Sequence, residues 1–163
     1  MNKDKKLIIF DLDGVLIDSL PNMKAALKKT SLSMNIKLNF NLYKKFLGLP
    51  FEKIMNKMCI KKDINKIKSN YSYYSKKNIK NIKIKKKHIK QLNHLKKNYY
   101  LSVFTSKDKV RTQAILKKYK FFNFIVTSDD VVKGKPYPEG IFKILKKHKV
   151  SKKNCIYVGD SIY

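Results

Sequence analysis

Arginine is almost missing from this chain. Of its 39 Lys and Arg residues only Arg111 is an arginine, set against 11 Asp and Glu for a formal net charge of +28. The planar arginine fork is the group favoured for bidentate recognition of bases and phosphates. Its scarcity argues against a surface built for nucleic acid, even at this charge. The lysines agree, since doublets such as Lys28-Lys29, Lys61-Lys62, Lys96-Lys97 and Lys146-Lys147 run along the whole chain. They interleave with apolar positions as solvated helix faces. Abundant Lys, Asn, Ile, Tyr and Phe beside one Arg reads as compositional bias, leaving only non-specific, salt-sensitive attraction to polyanions. Cysteine is scarce as well. Cys59 and Cys155 form no disulfide framework and lack paired metal-ligand spacing, so both are expected as small core residues. Long apolar runs are absent too, and none approaches a transmembrane span. The run Leu7–Phe10 is too short for a signal peptide and meets acids at once. These absences lead us to expect a soluble, cytoplasmic protein with no specific nucleic-acid and no membrane partner, its oligomeric state unknown. With no repeat or low-complexity linker, 163 residues bury one good core with at most a small insert.

What is present starts with LIIFDLDGVLIDS, Leu7 to Ser19. Four apolar residues without helical spacing predict a strand buried on both faces, as in a parallel sheet. The strand ends in Asp11 and Asp13, then Gly14, and ligands of open α/β sheets bind beyond the carboxyl ends of strands. Two acids two apart share a face of an extended chain, which suits one hard cation held with one phosphoryl group. The same string is also ordinary turn chemistry, and by itself it does not choose.

Pro21 suits a first helical turn, with Ser19 as a cap candidate. Apolar spacing predicts helices over Met23–Met34, Asn41–Leu47 (closed by Gly48 and Pro50), Ile54–Met58 and Ile64–Tyr74. Residues 20–80 thus read as a small all-helical insert whose Met and Tyr stripes are core. A helix carrying Ile89, Leu92 and Leu95 leads into the strand Tyr99–Phe104, which ends in Thr105-Ser106. Asp108 caps the next helix, and Phe124–Val126 is a third strand. Lys133–Pro138 is a rigid turn presenting Lys135. One more helix, lined by Ile141, Ile144, Leu145 and His148, precedes the strand Cys155–Val158 and Gly159-Asp160-Ser161. His88, His94 and His148 are expected to be structural, Asp129 and Asp130 to serve turns and caps, and Glu52 and Lys53 to be solvated.

Strands alternating with helices predict a parallel α/β sheet with right-handed crossovers. Its strand ends share one edge, so Asp11, Asp13, Thr105, Ser106, Lys135 and Asp160 would converge there. Phosphoryl transfer needs such a set. An aspartate can be the nucleophile, carboxylates can hold Mg²⁺, and a lysine, a hydroxyl and backbone N–H groups can neutralise the moving phosphoryl group.

These residues resemble the four motifs of haloacid-dehalogenase-type phosphatases. DLDGVLIDS (11–19) is similar to the first motif, VFTS (103–106) to the second, GKPYPEG (134–140) to the third and YVGDS (157–161) to the fourth. FLGLPFEKI (46–54) resembles the family's cap segment, TSDDVVKGKP (127–136) the approach to the lysine, and the phosphoglycolate-phosphatase-like subgroup is the nearest likeness. The resemblance implies a Rossmann-like core, residues 1–19 and 81–163, with an inserted all-helical cap at 20–80. It implies Asp11 as nucleophile and metal ligand, and Asp13 as acid and base whose backbone carbonyl touches the metal. It further implies Thr105 and Ser106 on the phosphoryl oxygens, Lys135 bridging phosphate and nucleophile, and Asp160 as a ligand of Mg²⁺. Lys135 rather than Lys133 takes that place because Pro136 follows it. The implied activity is Mg²⁺-dependent hydrolysis of a small phosphorylated metabolite, of phosphoglycolate or sugar-phosphate type, through an aspartyl-phosphate. The alternatives are a phosphomutase on the same scaffold, or an inactive basic binding domain. The family adds a further acid, helix and strand after the fourth motif, whereas this chain ends at Tyr163. A C-terminal truncation is therefore expected, with the fourth strand as an exposed edge.

Overall fold

β1 (Lys6–Phe10) lies inside a four-stranded, wholly parallel sheet of order β3-β2-β1-β4, with β2 spanning Tyr99–Phe104, β3 Phe124–Val126 and β4 Cys155–Val158. This is a computed structural model, and it describes residues 5–162. Residues 1–4 of the N-terminal stretch and Tyr163 lie outside the described residues. The period of two explains the apolar run. Ile8 and Phe10 enter one cluster with Leu101, Val103, Leu92 and Ile115, whereas Leu7 and Ile9 enter another with Phe104, Val126, Ile144 and Leu145. Both faces of β1 are therefore covered.

The sheet is covered by α5 (Lys86–Asn98) and α6 (Lys109–Leu116) through the first cluster, and by α7 (Glu139–His148) through the second. The chain steps from β1 to β2 and β3 in one direction, then returns to place β4 on the other side of β1. Such a reversal opens a crevice at the strand ends. Among the described residues four α-helices precede α5: α1 (Leu20–Ser33), α2 (Phe40–Lys45), α3 (Phe51–Lys57) and α4 (Ile64–Lys77). They bury an apolar cluster of their own, with Met23, Leu27, Tyr43, Met55, Ile67 and Tyr71 inside. The expected Met and Tyr stripes are core.

Three local expectations change. The second helix is shifted from Asn41–Leu47: it starts at Phe40, where Asn39 caps it by accepting from the Leu42 N–H at 3.1 Å, and it ends at Lys45, with the chain leaving at Phe46. Ser19 does precede α1, yet its hydroxyl makes no cap and donates to Asp13 instead. Cys59 is exposed, not core, in a left-handed turn just past α3. His148 is structural as expected: it is buried, 2.9 Å from the Ser102 hydroxyl and stacked on Tyr100. Among the described residues β4 pairs with β1 alone, and Ile156 is 56% exposed on that edge.

The turn before α7 is held from the helix side. Glu139 accepts from the Lys133 N–H at 2.7 Å and the Val132 N–H at 3.2 Å, and pairs with Lys143 at 3.0 Å. One residue on, a Cβ built on Gly140 would sit 2.3 Å from the Phe104 ring, so glycine lets α7 lie directly on β2. Gly140→Ala is expected to destabilise the protein by about 1–3 kcal/mol through overpacking, read from the denaturant midpoint; an unchanged midpoint would show that Phe104 yields freely. The backbone N–H of Lys133, the Lys143 ammonium and the backbone N–H of Val132 hold the Glu139 carboxyl down at about 2, against an ordinary 4.5. Its stabilisation is present above 4.5 and fades as pH falls toward 2. Glu139→Gln should flatten the stability–pH curve in that acid window, and curves that stay parallel there would refute this role.

Candidate active site

Asp11 leaves β1 still in the ladder, its N–H donating to the Val158 carbonyl at 2.8 Å. Its side chain is buried. Oδ1 accepts from the Leu12 N–H at 2.7 Å, and Oδ2 meets Lys135 Nζ at 2.8 Å. Burial pushes the Asp11 carboxyl up, Lys135 and the Leu12 N–H oppose that, and Asp13 adds to it. Lys135 is 3% exposed and lies 5.3 Å from the Phe104 ring centre and 5.5 Å from that of Tyr157. Among the described residues its Nζ makes no angularly sound hydrogen bond, the contact with Asp11 being an ion pair. A buried ammonium in that state has donors to offer an anion.

Past Asp11 the chain doubles back. Gly14 takes φ +81, its N–H donates to the Ile17 carbonyl, and Leu16 and Ile17 donate to that of Leu12. The turn expected of DLDG is present, and it brings both acids to the edge of the same cavity. Asp13 Oδ1 accepts from the Ser19 hydroxyl and pairs with Lys107 Nζ at 3.1 Å. A Cβ on Gly14 would fall 1.7 Å from Asp160 Oδ2, so the missing side chain lets the β4 carboxylate lie against the β1 loop.

Thr105 ends β2 buried, its Oγ1 accepting from the Lys107 N–H at 3.2 Å. Ser106 is committed elsewhere, donating through Oγ to the Gly48 carbonyl at 2.7 Å, and Ser161 donates likewise to Leu47 at 2.9 Å. These two hydroxyls tie the sheet edge to the segment between α2 and α3. Lys135 reaches Asp11, while Lys133 is exposed. Glu52 pairs with Lys68 at 2.6 Å, and Asp130 closes a capping box with Thr127.

A cavity of about 560 Å³ opens over this edge. Asp11, Asp13, Thr105, Ser106 and Asp160 line one side, and Met23, Tyr43, Phe51, Ile54 and Tyr71 of the helical layer line the other. Two basic residues that the sequence reading passed over also face it. Lys107 is buried; burial pushes its ammonium down, Arg111 adds to that and Asp13 opposes it. Arg111 is held by Asp108, whose carboxylate accepts from its N–H at 2.8 Å and its Nε at 2.5 Å. It also reaches Ser75 Oγ of α4 at 3.4 Å and stands 5.3 Å from the Tyr71 ring centre. The available signals were the place of Lys107 just after Thr105-Ser106, and the solitude of Arg111.

No three His, Cys, Asp or Glu side chains among the described residues cluster as a metal cage. The expected Mg²⁺ set asks for less. It needs two carboxylates, Asp11 and Asp160, with the Asp13 main-chain carbonyl and waters, all hard oxygen donors. The close fit of Asp160 over Gly14 is compatible with that set. No helix among the described residues is long and apolar enough to cross a membrane.

Comparisons with known proteins agree with this geometry. A phosphoglycolate phosphatase of Haemophilus influenzae is 25% identical over 178 residues, covering 99% of this chain and 80% of the relative. The pyrophosphatase PpaX of Oceanobacillus iheyensis is 29% identical over 164 residues, covering 96% and 75%. Among solved structures, a haloacid dehalogenase-like family hydrolase from Streptococcus pneumoniae superposes with a TM-score of 0.82 at 27% identity, covering 98% of this chain and 77% of that one. A hydrolase from Pseudomonas syringae gives 0.86 at 25%, covering 98% and 78%. The profile described as haloacid dehalogenase-like hydrolase matches residues 8–163, and the chain belongs to that family.

Proposed function

We propose that this hydrolase is a Mg²⁺-dependent phosphatase acting on a small phosphorylated metabolite, of phosphoglycolate or sugar-phosphate type, through an aspartyl-phosphate. The observation that carries the reading is the Asp11–Lys135 ion pair, sunk at the end of β1 beneath a cavity that Asp13 and Thr105 also line. In this reading residues 20–80 are the cap, and residues 1–19 with 81–163 are the core. The cap's Tyr, Phe and Met side chains limit water over the site.

Asp11 attacks phosphorus and forms an acyl phosphate while the ester P–O bond breaks. The leaving oxygen takes its proton from Asp13. Lys107 and Ser19 both meet Oδ1 of Asp13, so the proton is assigned to Oδ2. Water then attacks phosphorus, Asp13 accepts its proton, and the P–O bond to Asp11 breaks to release phosphate. Thr105 Oγ1, the Ser106 N–H and Lys135 hold the phosphoryl oxygens through both steps. When bound by Asp11, the Asp13 carbonyl and Asp160, Mg²⁺ supplies charge neutralisation for the phosphoryl oxygens.

Phosphate release from a small panel of phosphomonoesters should require Mg²⁺. It should fall at least about a thousandfold in Asp11→Asn, since the attacking group is lost. Release that survives in Asp11→Asn, or that ignores chelation of the metal, would overturn the mechanism.

A further inference from the structure

Resting on the phosphatase reading, we propose that Arg111 is a specificity-determining residue. Held by Asp108 and Tyr71 at the cavity wall, it receives a second anionic group, carboxylate or phosphoryl, carried by the leaving group of the substrate.

The first ground is compositional. Among 39 Lys and Arg residues, lysine fills every cationic position but this one. An ammonium serves as well as a guanidinium on a solvated face. What lysine cannot supply is a planar fork that grips an oxyanion with two parallel N–H groups. The single arginine stands where such a grip has a use, at the wall of the cavity that Asp11 and Asp13 share.

The second ground is orientation. Asp108 accepts from the backbone N–H and Nε of Arg111, which fixes one edge of the guanidinium. The Tyr71 ring lies 5.3 Å away, and Ser75 of α4 touches NH1 at 3.4 Å. A side chain with its rotamers already fixed loses little entropy on binding.

Charge is the third ground. The carboxylates lining the cavity, Asp11, Asp13, Asp18 and Asp160, all come from the loops after β1 and β4. The helical wall contributes Tyr43 and Tyr71 and no carboxylate among the described lining residues, and exposed Lys44, Lys45 and Lys85 border the same space. Arg111 lines the same cavity as Asp11 and Asp13, beside Tyr43 and Tyr71. A leaving group that reaches from the reacting end toward the helical wall meets this guanidinium, and a second anion there adds to the pairing that Asp108 already provides.

The test compares kcat/KM for 2-phosphoglycolate and pyrophosphate with that for ethyl phosphate, which is similar in length but has an uncharged leaving group. Wild-type protein should prefer at least one anionic ester by about tenfold or more. Arg111→Met should cut that preference by about tenfold to a hundredfold, as expected for a charge-assisted pair, and Arg111→Lys should restore part of it. The ester that suffers most identifies the group as carboxylate or phosphoryl. A merely structural role would lower all three substrates together, because partial unfolding leaves the ratio untouched; an unchanged ratio, or no wild-type preference, overturns the proposal. Should wild-type protein release phosphate from none of them, hydrolysis itself is refuted. Calorimetric binding of 2-phosphoglycolate against ethyl phosphate, to Asp11→Asn with and without Arg111→Met, then still decides the role of Arg111. A preference lost with the guanidinium supports it, and equal binding refutes it.

Discussion

Lys135 Nζ and Asp11 Oδ2 meet 2.8 Å apart at the end of β1, both nearly out of solvent, and each is the counter-charge of the other there. Ion pairs taken from water recover their desolvation cost only through close geometry and added hydrogen bonds. Much of the surrounding structure supplies that geometry. The Leu12 N–H takes the second oxygen of Asp11. Glu139 grips the backbone of Val132 and Lys133 just ahead of the lysine, and Gly140 brings α7 against Phe104, over whose ring the ammonium lies. GKPYPEG is thus a device for carrying one ammonium to one carboxylate.

A second line of charge runs from Asp13 through Lys107 toward Arg111, and it couples the sheet to the helical layer. Lys107 holds Asp13 on one side, and Arg111 reaches Ser75 on α4 on the other. Ser106 and Ser161 add hydrogen bonds to the carbonyls of Gly48 and Leu47. Residues lining the cavity are therefore also residues that seat the helices over it. This is economical chemistry, because one set of polar groups closes the cavity and shapes its interior. Exposed lysines along the rest of the chain give the surface its strongly basic character.

The strands and the polar groups at their ends were legible in sequence because they depend on local pattern, whereas the order β3-β2-β1-β4 came only from the structure. Four apolar residues before two acids describe a doubly covered strand, and β-rich runs ending in Thr105-Ser106 and Gly159-Asp160 repeat the arrangement. Boundaries were less legible. Asn39 shifted the start of α2, and Ser19 gave up a helix cap for Asp13, because a hydroxyl bonds whatever acceptor tertiary structure brings near. Cys59 stands exposed in a left-handed turn, where position rather than polarity decides burial.

By itself the sequence determined the parallel α/β class, the family resemblance and the set of side chains at the sheet edge, since each follows from residue type and spacing along one strand and its following loop. Only the tertiary structure decided which lysines leave solvent and which acid each one meets. Read in one dimension, Lys107 is one lysine among many, and Arg111 is conspicuous only as the single arginine, with nothing to say that either is buried. Their burial comes from the approach of α4 and of the Asp13 loop, contacts between residues far apart in the chain, and no local pattern encodes a distance of that kind.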